Sequence, residues 1–304
     1  MSDWFDGTDE EFLDRAWRLA LRREPDAGGM REGLARLREG RISRAAYLEE
    51  LLEREPFARV RALDDALAFV RRESGRPREL QAPADADERA VEIPWVLTRY
   101  GGERRVLDVG TVFAEPAYVA GLHELGIPDL VTVDLAAGAT VVADVRDLPF
   151  ENERFDLALC VSTLEHVGRD NAVYAVDAPR DEDGDEAALR ELRRVLAPDG
   201  RLLVTVPTGV DDDQGWQVQR SPLAWIERFE RAGFLVFEDE LYVRGDVAWR
   251  TGTLAEARAA RYGTSGAGAV LLAELRPARL GERVRLAVRD VRHRDVARRS
   301  TRLA

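Results

Sequence analysis

The stretch from Arg105 to Gly168 decides the fold. It contains four apolar runs: VLDVG at 106–110, VTVDL at 131–135, VVADVRDLPF at 141–150 and FDLALCVSTLEHVG at 155–168. Three of these predicted strands carry an aspartate at or near their ends, and the fourth ends in a serine and a threonine: Asp108, Asp134, Asp144, Ser162 and Thr163. Ligands of open α/β sheets bind outside the carboxyl ends of parallel strands. The pattern therefore predicts the rim of a binding site.

Strand and helix patterns alternate from Val91 to Leu275. The predicted strands are Val106–Val109, Leu130–Val133, Val141–Ala143, Leu157–Val161, Leu202–Val206, Phe234–Asp239 and Val270–Leu275. The predicted helices between them are Val91–Tyr100, Pro116–Leu125, Glu186–Leu196 and Pro222–Ala232. Such alternation indicates βαβ units. We predict an α/β fold with a Rossmann-like, doubly wound, mostly parallel seven-stranded sheet, preceded by a small all-α bundle.

Four segments are predicted along the chain. Residues 1–75 follow helical spacing and form the bundle, an accessory or docking module. Residues 76–90 are polar and contain prolines, which is typical of a linker. Residues 91–275 form the α/β domain, and residues 276–304 form a basic tail.

Composition excludes several classes of function. The single cysteine, Cys160, excludes a disulfide framework and a cysteine-based metal cluster. His123, His166 and His293 lie far apart in the sequence, so no metal site is predicted. Residues 81–275 hold 19 arginines and 36 acidic residues, a net charge of −17, which argues against a nucleic-acid partner.

The acidic N-terminus, MSDWFDGTDEEF, lacks the apolar core of a signal peptide. No apolar run approaches the ~20 residues of a membrane span. We expect a soluble, cytoplasmic protein.

The N-terminal bundle carries a short pattern at Leu21–Gly29, Gly40–Arg44 and Glu55–Phe57. It resembles a helical module of unknown function that recurs beside glycan-modifying enzymes. The resemblance implies a possible protein partner for the bundle. A plain docking bundle is the alternative.

The motifs at Arg105–Gly168, with LRELRRVLAPDGRLLVTVP at Leu189–Pro207, resemble the class I S-adenosylmethionine-dependent methyltransferases of the methyltransferase-11-like group. The resemblance covers roughly residues 91–275 and makes that segment a class I methyltransferase domain. It implies a helix, a tight turn and a fifth strand at Leu189–Pro207. It also implies S-adenosyl-L-methionine as the cofactor and methyl transfer as the activity, with no metal.

The first loop departs from the family's G-x-G-x-G pattern. It reads Gly110-Thr111-Val112-Phe113-Ala114 and keeps only the first glycine. Thr111 and Val112 are β-branched and resist positive φ, whereas a pyrophosphate needs glycines here for close approach of the backbone. NAD and nucleoside triphosphates are therefore excluded, while the cationic sulfonium of S-adenosylmethionine suits an acidic rim. A degenerate cofactor site remains an alternative.

The resemblance assigns roles to the strand-end residues. Asp134 binds the ribose hydroxyls, or else caps a helix. Asp144 contacts the adenine amino group, or else forms a turn. Asp108 organises the loop or approaches the methionine part of the cofactor. The full set of predicted cofactor-binding residues is Asp108, Gly110, Thr111, Asp134, Leu135, Asp144, Val145, Ser162 and Thr163.

The resemblance implies that the methyl group meets its acceptor at the end of the fourth strand. His166 is the predicted catalytic base, with an orienting or packing role as the alternative. Two loops, Gly168–Asp185 and Thr208–Arg220, are expected to select the acceptor. Their predicted substrate-binding residues are Asp170, Asn171, Tyr174, Trp216 and Gln217.

The acceptor implied by the N-terminal module and the Trp216 loop is a hydroxyl of a glycan, a glycolipid or a nucleotide-linked sugar, in polysaccharide biosynthesis. Two rival functions remain open. One is a non-catalytic scaffold of a glycan assembly complex with a degenerate cofactor site. The other is aminopropyl transfer on the same fold, for which the sequence carries no motif.

Overall fold

The computed structural model describes residues 5–21, 25, 27–53, 61, 63–68, 80, 82–172, 179–263 and 266–279. Its helices are α1 Asp9–Leu21, α2 Ala27–Arg38, α3 Arg44–Glu53, α4 Arg89–Leu97, α5 Pro116–Glu124, α6 Gly184–Val195, α7 Pro222–Arg231 and α8 Leu254–Ala259. Its strands are β1 Ala82–Pro83, β2 Arg105–Val109, β3 Asp129–Asp134, β4 Val141–Val142, β5 Phe155–Val161, β6 Leu196–Pro207, β7 Asp212–Asp213, β8 Val218–Gln219, β9 Phe234–Arg244, β10 Ala248–Thr251 and β11 Ala269–Pro277.

The chain divides into two compact units. The first comprises Met1–Arg99, Ala114–Leu125 and Gly245–Arg250. The second comprises Tyr100–Phe113, Gly126–Arg244 and Thr251–Ala304. The domain boundaries drawn from the sequence stay predictions.

In the first unit, α1, α2 and α3 share a small apolar core. Phe12, Leu13 and Leu51 are buried in it, as their helical spacing predicts. Trp17 donates its indole N–H to the Tyr47 hydroxyl at 3.1 Å, which satisfies the polar end of a buried ring. Most of the last part of the predicted bundle, residues 54–75, lies outside the described residues.

In the second unit, seven strands are hydrogen-bonded in the order β9-β11-β6-β5-β2-β3-β4. Neighbours from β6 to β4 pair in parallel. Only β11 runs the other way, antiparallel to both β6 and β9. The predicted mostly parallel, Rossmann-like sheet is confirmed. The inner strands β2, β5 and β6 are nearly continuous apolar runs because helices bury both faces of such sheets.

One connection differs from its predicted form. The predicted helix Glu186–Leu196 ends at Val195, and β6 begins at once with Leu196. The expected tight turn lies inside β6. It shifts the register of the β5–β6 pairing, so that Phe155 pairs with Leu196 whereas Leu157 pairs with Arg201. Gly200 allows this close approach because a Cβ there would lie 3.1 Å from the Asp156 carbonyl oxygen.

The predicted loop Thr208–Arg220 contains a small antiparallel hairpin, β7–β8, in which Asp212 pairs with Gln219 and Asp213 with Val218. Each strand has two residues, which is too few for a period-two pattern to show in the sequence. We call residues 208–220 the hairpin segment.

A buried carboxylate ties the hairpin segment to two helices. Asp185, in the first turn of α6, accepts bonds from Arg220 at 2.9 Å and from Arg228 of α7 at 2.5 Å. The Asp185 side chain is 1% exposed. Removing one partner of a buried ion pair leaves uncompensated charge.

Asp185→Asn is therefore expected to lower the free energy of unfolding by about 3 kcal/mol, because two guanidinium groups lose their nearest counter-charge. Urea denaturation measures this change. The control is Asp199→Asn, because Asp199 is 90% exposed and pairs with Arg279 on the surface; its effect should stay within ~0.5 kcal/mol. Equal effects of the two substitutions would show that the Asp185 network is not structural.

Candidate functional site

The ends of the parallel strands lie along one edge of the sheet and are bonded to each other. The Gly110 N–H donates to the Val133 carbonyl at 2.9 Å, and the Ser162 N–H donates to the Thr205 carbonyl at 3.1 Å. The Ala143 N–H donates to the Asp134 carbonyl at 3.0 Å. The predicted strand-end residues are thus brought together at one edge, as the parallel pattern implies.

Gly110 and Thr163 approach each other closely across β2 and β5. Gly110 has φ +85°, and a Cβ there would lie 2.2 Å from the Thr163 hydroxyl oxygen. Thr163 donates to the Val109 and Val161 carbonyls at 3.2 and 2.9 Å. The one glycine that the first loop retains is therefore required both for its backbone angle and for space.

Asp134 holds the first loop in place. One of its oxygens accepts from the Val112 N–H at 3.0 Å, and the other accepts from the Ala136 N–H at 3.0 Å. An ionised carboxylate offers about four acceptor positions. Two positions therefore remain for the hydroxyl hydrogens of a diol.

Asp108 is buried and accepts a hydrogen bond from the Thr111 hydroxyl at 2.5 Å. This contact lies within the first loop and links its second residue to β2. It is what a loop-organising role for Asp108 requires. With Asp134, it gives the loop two carboxylate anchors in place of the family's later glycines.

Asp144 forms an ion pair with Arg146 that the sequence analysis missed. Its oxygens accept from Arg146 Nε at 3.0 Å and Nη2 at 2.6 Å, and from the Arg146 N–H at 2.8 Å. Partial burial would raise the pKa of the Asp144 carboxyl, but the bonds and charge of Arg146 outweigh it and hold that pKa below its ordinary value. A contact between Asp144 and an adenine amino group stays a prediction, and it would compete with Arg146.

His166 lies in a single helical turn, Leu164–His166, after β5. Its Nδ1 is 3.0 Å from the Trp216 carbonyl oxygen, and its Nε2 is 3.8 Å from the Glu165 carboxylate. The His166 and Trp216 rings lie 5.2 Å apart at 30°. The Trp216 and Tyr262 rings are T-shaped, with centroids 6.1 Å apart and planes at 79°.

Further contacts join this turn to the hairpin segment. Arg169, with a side chain 4% exposed, binds Asp213 at 2.9 Å. The Asp170 N–H donates to the Gly215 carbonyl at 3.0 Å. The Asn171 amide donates to the His166 carbonyl at 3.4 Å. Two loops that the sequence analysis treated separately are thus one connected structure.

The other predicted residues are placed as follows. Ser162 has φ +40°, a strained angle for a residue other than glycine and one that occurs often at functional sites. Val145 is buried and Leu135 is half-buried. Gln217 is buried, and its amide donates to Gln214 at 3.1 Å. Tyr174 lies outside the described residues.

Sequence reasoning missed Arg146, Arg169, Asp213 and Tyr262. Arg146 carries a usable signal, because an arginine two residues after a strand-end aspartate can fold back onto that carboxylate. Arg169, Asp213 and Tyr262 carry none, because each contacts a residue far away in the sequence.

The chemistry of the edge suits a cation with hydroxyl groups. Carboxylates dominate it, and a phosphate would be repelled.

No group of three His, Cys, Asp or Glu among the described residues could hold a metal ion. Burial raises the pKa of the Cys160 thiol, so this group is not a nucleophile. No helix in the described part of the chain has the length and apolar character of a membrane span.

A family model matches part of the chain. Residues 128–204 match the family model described as a methyltransferase domain. The predicted methyltransferase resemblance is confirmed, and this segment carries Asp134, Asp144 and His166. The match begins at residue 128 and does not include the first loop. That loop is the part of the sequence that departs from the family pattern.

One archaeal relative and two solved structures illustrate the similarity. An uncharacterised protein of Methanocaldococcus jannaschii is 32% identical over 111 residues, which are 34% of this chain and 40% of that protein. The chain thus covers less than half of that relative's length.

A proposed methyltransferase of Bacillus halodurans is 18% identical, with 62% of this chain and 97% of that chain covered and a TM-score of 0.40. The 1,6-didemethyltoxoflavin N1-methyltransferase of Burkholderia thailandensis, solved with 1,6-didemethyltoxoflavin and S-adenosylhomocysteine, is 18% identical over 84% of this chain and 93% of its own, with a TM-score of 0.40. Such low scores carry no inference about function.

Gly110→Ala is expected to destabilise the protein more than Gly102→Ala. Both glycines have positive φ, at +85° and +90°, so each substitution incurs about 1 kcal/mol of backbone strain. Only Gly110 also faces an atom, the Thr163 hydroxyl oxygen, because nothing lies within 4 Å of a Cβ at Gly102. Urea denaturation should give an excess cost of about 1–3 kcal/mol for Gly110→Ala. Equal costs would contradict the close approach of β2 and β5.

Proposed function

We propose that this chain transfers a methyl group from S-adenosyl-L-methionine to an acceptor held beside His166. The observation that carries the proposal is the Asp134 carboxylate, fixed by the first loop at the end of β3 in a segment that matches a methyltransferase domain. The chain is then an enzyme, and the edge of its sheet is the cofactor site.

The residues present fit this cofactor. The two acceptor positions left on Asp134 suit the two ribose hydroxyls. The carboxylates of Asp108 and Asp134 favour the positive charge of the sulfonium and amino groups. Thr111 and Val112 are compatible with this cofactor, because it has no phosphate that the backbone of the loop must approach closely.

The bound cofactor would supply an activated methyl group on a sulfonium, an excellent leaving group. The protein then needs mainly to align the acceptor with that methyl group and to exclude water. The turn after β5 and the hairpin segment supply the alignment, because they meet at the sheet edge through His166 and Trp216. His166 accepts a proton when the acceptor is a hydroxyl.

The proposed acceptor is a saccharide hydroxyl, on a glycan, a glycolipid or a nucleotide-linked sugar. Trp216 is partly exposed and offers an apolar ring face, while Asp170 offers a carboxylate nearby. An aromatic face beside carboxylates suits a sugar, whose ring presents C–H groups on its faces and hydroxyls at its edge. The resemblance of the N-terminal module to modules beside glycan-modifying enzymes also supports this acceptor.

A non-catalytic scaffold is the second candidate. The specific observation in its favour is the first loop, where Thr111 and Val112 replace flexible positions and Val112 already binds Asp134. In that case the carboxylate edge would stabilise the loop and would bind no cofactor. Titration with a cofactor analogue separates the two candidates.

Asp134→Asn is expected to weaken binding of S-adenosylhomocysteine at least tenfold, because the amide loses a charge and one acceptor oxygen. Isothermal titration calorimetry measures the dissociation constant. The control is Asp129→Asn, at the opposite end of the same strand, where the carboxylate is 42% exposed and pairs with Arg154; it should bind like the wild type. Absence of binding by the wild-type protein would favour the scaffold.

Trp216→Ala is expected to raise KM for a saccharide acceptor about tenfold, because the sugar loses its stacking face, and to change affinity for S-adenosylhomocysteine less than twofold. Transfer of a labelled methyl group to panels of neutral glycosides, glycolipids, nucleotide sugars, small acids and amines identifies the class. Methylation of small acids or amines, with no saccharide labelled, would refute the proposed acceptor.

A further inference from the structure

We propose that the hairpin segment sets the tautomer of His166, and that Arg169 and Asp213 are the positioning residues that hold it there. The proposal rests on the proposed function, because it identifies which nitrogen of His166 takes the proton. It adds two residues outside the predicted cofactor and acceptor sets.

The tautomer follows from the Trp216 carbonyl. A carbonyl oxygen can only accept a hydrogen bond, and it lies 3.0 Å from Nδ1. Nδ1 therefore carries the proton in neutral His166, and Nε2 carries the lone pair. Free histidine favours a proton on Nε2, so the fold imposes the less common form.

The position of that carbonyl depends on contacts on both sides of Trp216. The Gly215 carbonyl, one residue earlier, accepts from the Asp170 N–H at 3.0 Å. The Gln217 carbonyl, one residue later, accepts from the Gln214 N–H at 3.0 Å and closes the turn. These backbone bonds shape the turn but carry no charge.

The Arg169–Asp213 pair holds the hairpin to the turn that carries His166. Arg169 lies three residues after His166, and its N–H donates to the His166 carbonyl at 3.1 Å. Its buried guanidinium reaches Asp213 on β7 at 2.9 Å and the Glu182 carbonyl at 3.2 Å. Because the Glu182 carbonyl also fixes the guanidinium, the ion pair with Asp213 holds β7 in place. It thereby holds the turn that carries Trp216 beside the imidazole.

The charged groups around His166 support proton uptake at Nε2. Glu165 places a carboxylate oxygen 3.8 Å from Nε2, where it stabilises the imidazolium once formed. The positive charge of Arg169 is compensated by its ion pair with Asp213 of the hairpin segment. The Trp216 ring, with its centroid 5.2 Å from that of the imidazole, adds no charge.

The proton balance of the step is complete. The acceptor oxygen forms a bond to the methyl carbon as the bond from that carbon to sulfur breaks. The electron pair of the broken bond stays on sulfur, which becomes a neutral thioether. The hydroxyl proton passes to Nε2, while Nδ1 keeps its own proton and its bond to the Trp216 carbonyl.

Nitrogen NMR of ¹⁵N-histidine-labelled protein tests the tautomer without any assay of activity. The chain has three histidines, so His166→Gln assigns the His166 signals. At a pH where the ring is neutral, we expect Nδ1–H at His166 in the wild type and a shift toward the Nε2–H form in Asp213→Ala. Asp213→Asn, whose amide oxygen can still accept from Arg169, should retain most of the Nδ1–H form.

Asp212→Ala is the matched control, because Asp212 is the neighbouring carboxylate on β7 and accepts from the Gln214 amide at 3.2 Å within the turn. It should leave the His166 signals unchanged. An Nε2–H form in the wild type would overturn the proposal, and so would an equal response of the tautomer to Asp213→Ala and Asp212→Ala.

Kinetics supply a second measurement. Asp213→Ala should lower kcat about tenfold for a hydroxyl acceptor, with less than a twofold change in KM and in the dissociation constant for S-adenosylhomocysteine. An equal loss in Asp212→Ala would overturn the positioning role. If the wild-type protein transfers no methyl group but shows the Nδ1–H form and its dependence on Asp213, the proposed function fails while the structural assignment stands.

Discussion

The site depends on the parallel alignment of β2 between β3 and β5. Parallel pairing brings the carboxyl ends of these strands to one edge, and the close contact of Gly110 with Thr163 fixes their separation there. On the other side of β2, Asp134 at the end of β3 binds the backbone of the first loop. Every proposed contact with a cofactor depends on this arrangement, because it brings together the residues at the ends of strands that are distant in the sequence.

Much of the fold was predictable because its central strands are buried on both faces. Such strands read as apolar runs, and those around Val106 and Leu157 are clear in the sequence. The alternation with helices then indicated a parallel sheet. The two-residue strands β7 and β8 were not predictable, because they depend on tertiary contacts. The helix α8 does carry a local signal, the reciprocal bonds between Thr253 and Glu256 at its start, which the prediction did not use.

The site was predictable only where chemistry lies next to a strand end. Asp134 and Thr163 were predicted in this way, and the fold places both at this edge, while their contacts with a cofactor stay predictions. Arg169 and Asp213 were not, because an ion pair across 44 positions leaves no local pattern. The role of Asp144 needed its partner as well, since Arg146 determines how much of that carboxylate is available.

The most direct measurement of the central claim is a crystal structure of the full chain with S-adenosylhomocysteine. We expect the ribose hydroxyls within hydrogen-bond distance of the Asp134 carboxylate, with the Val112 bond to Asp134 retained. The sulfur should face the turn that contains His166. Binding of the analogue away from the carboxyl ends of β2 and β3, or a ribose that makes no contact with Asp134, would contradict the account.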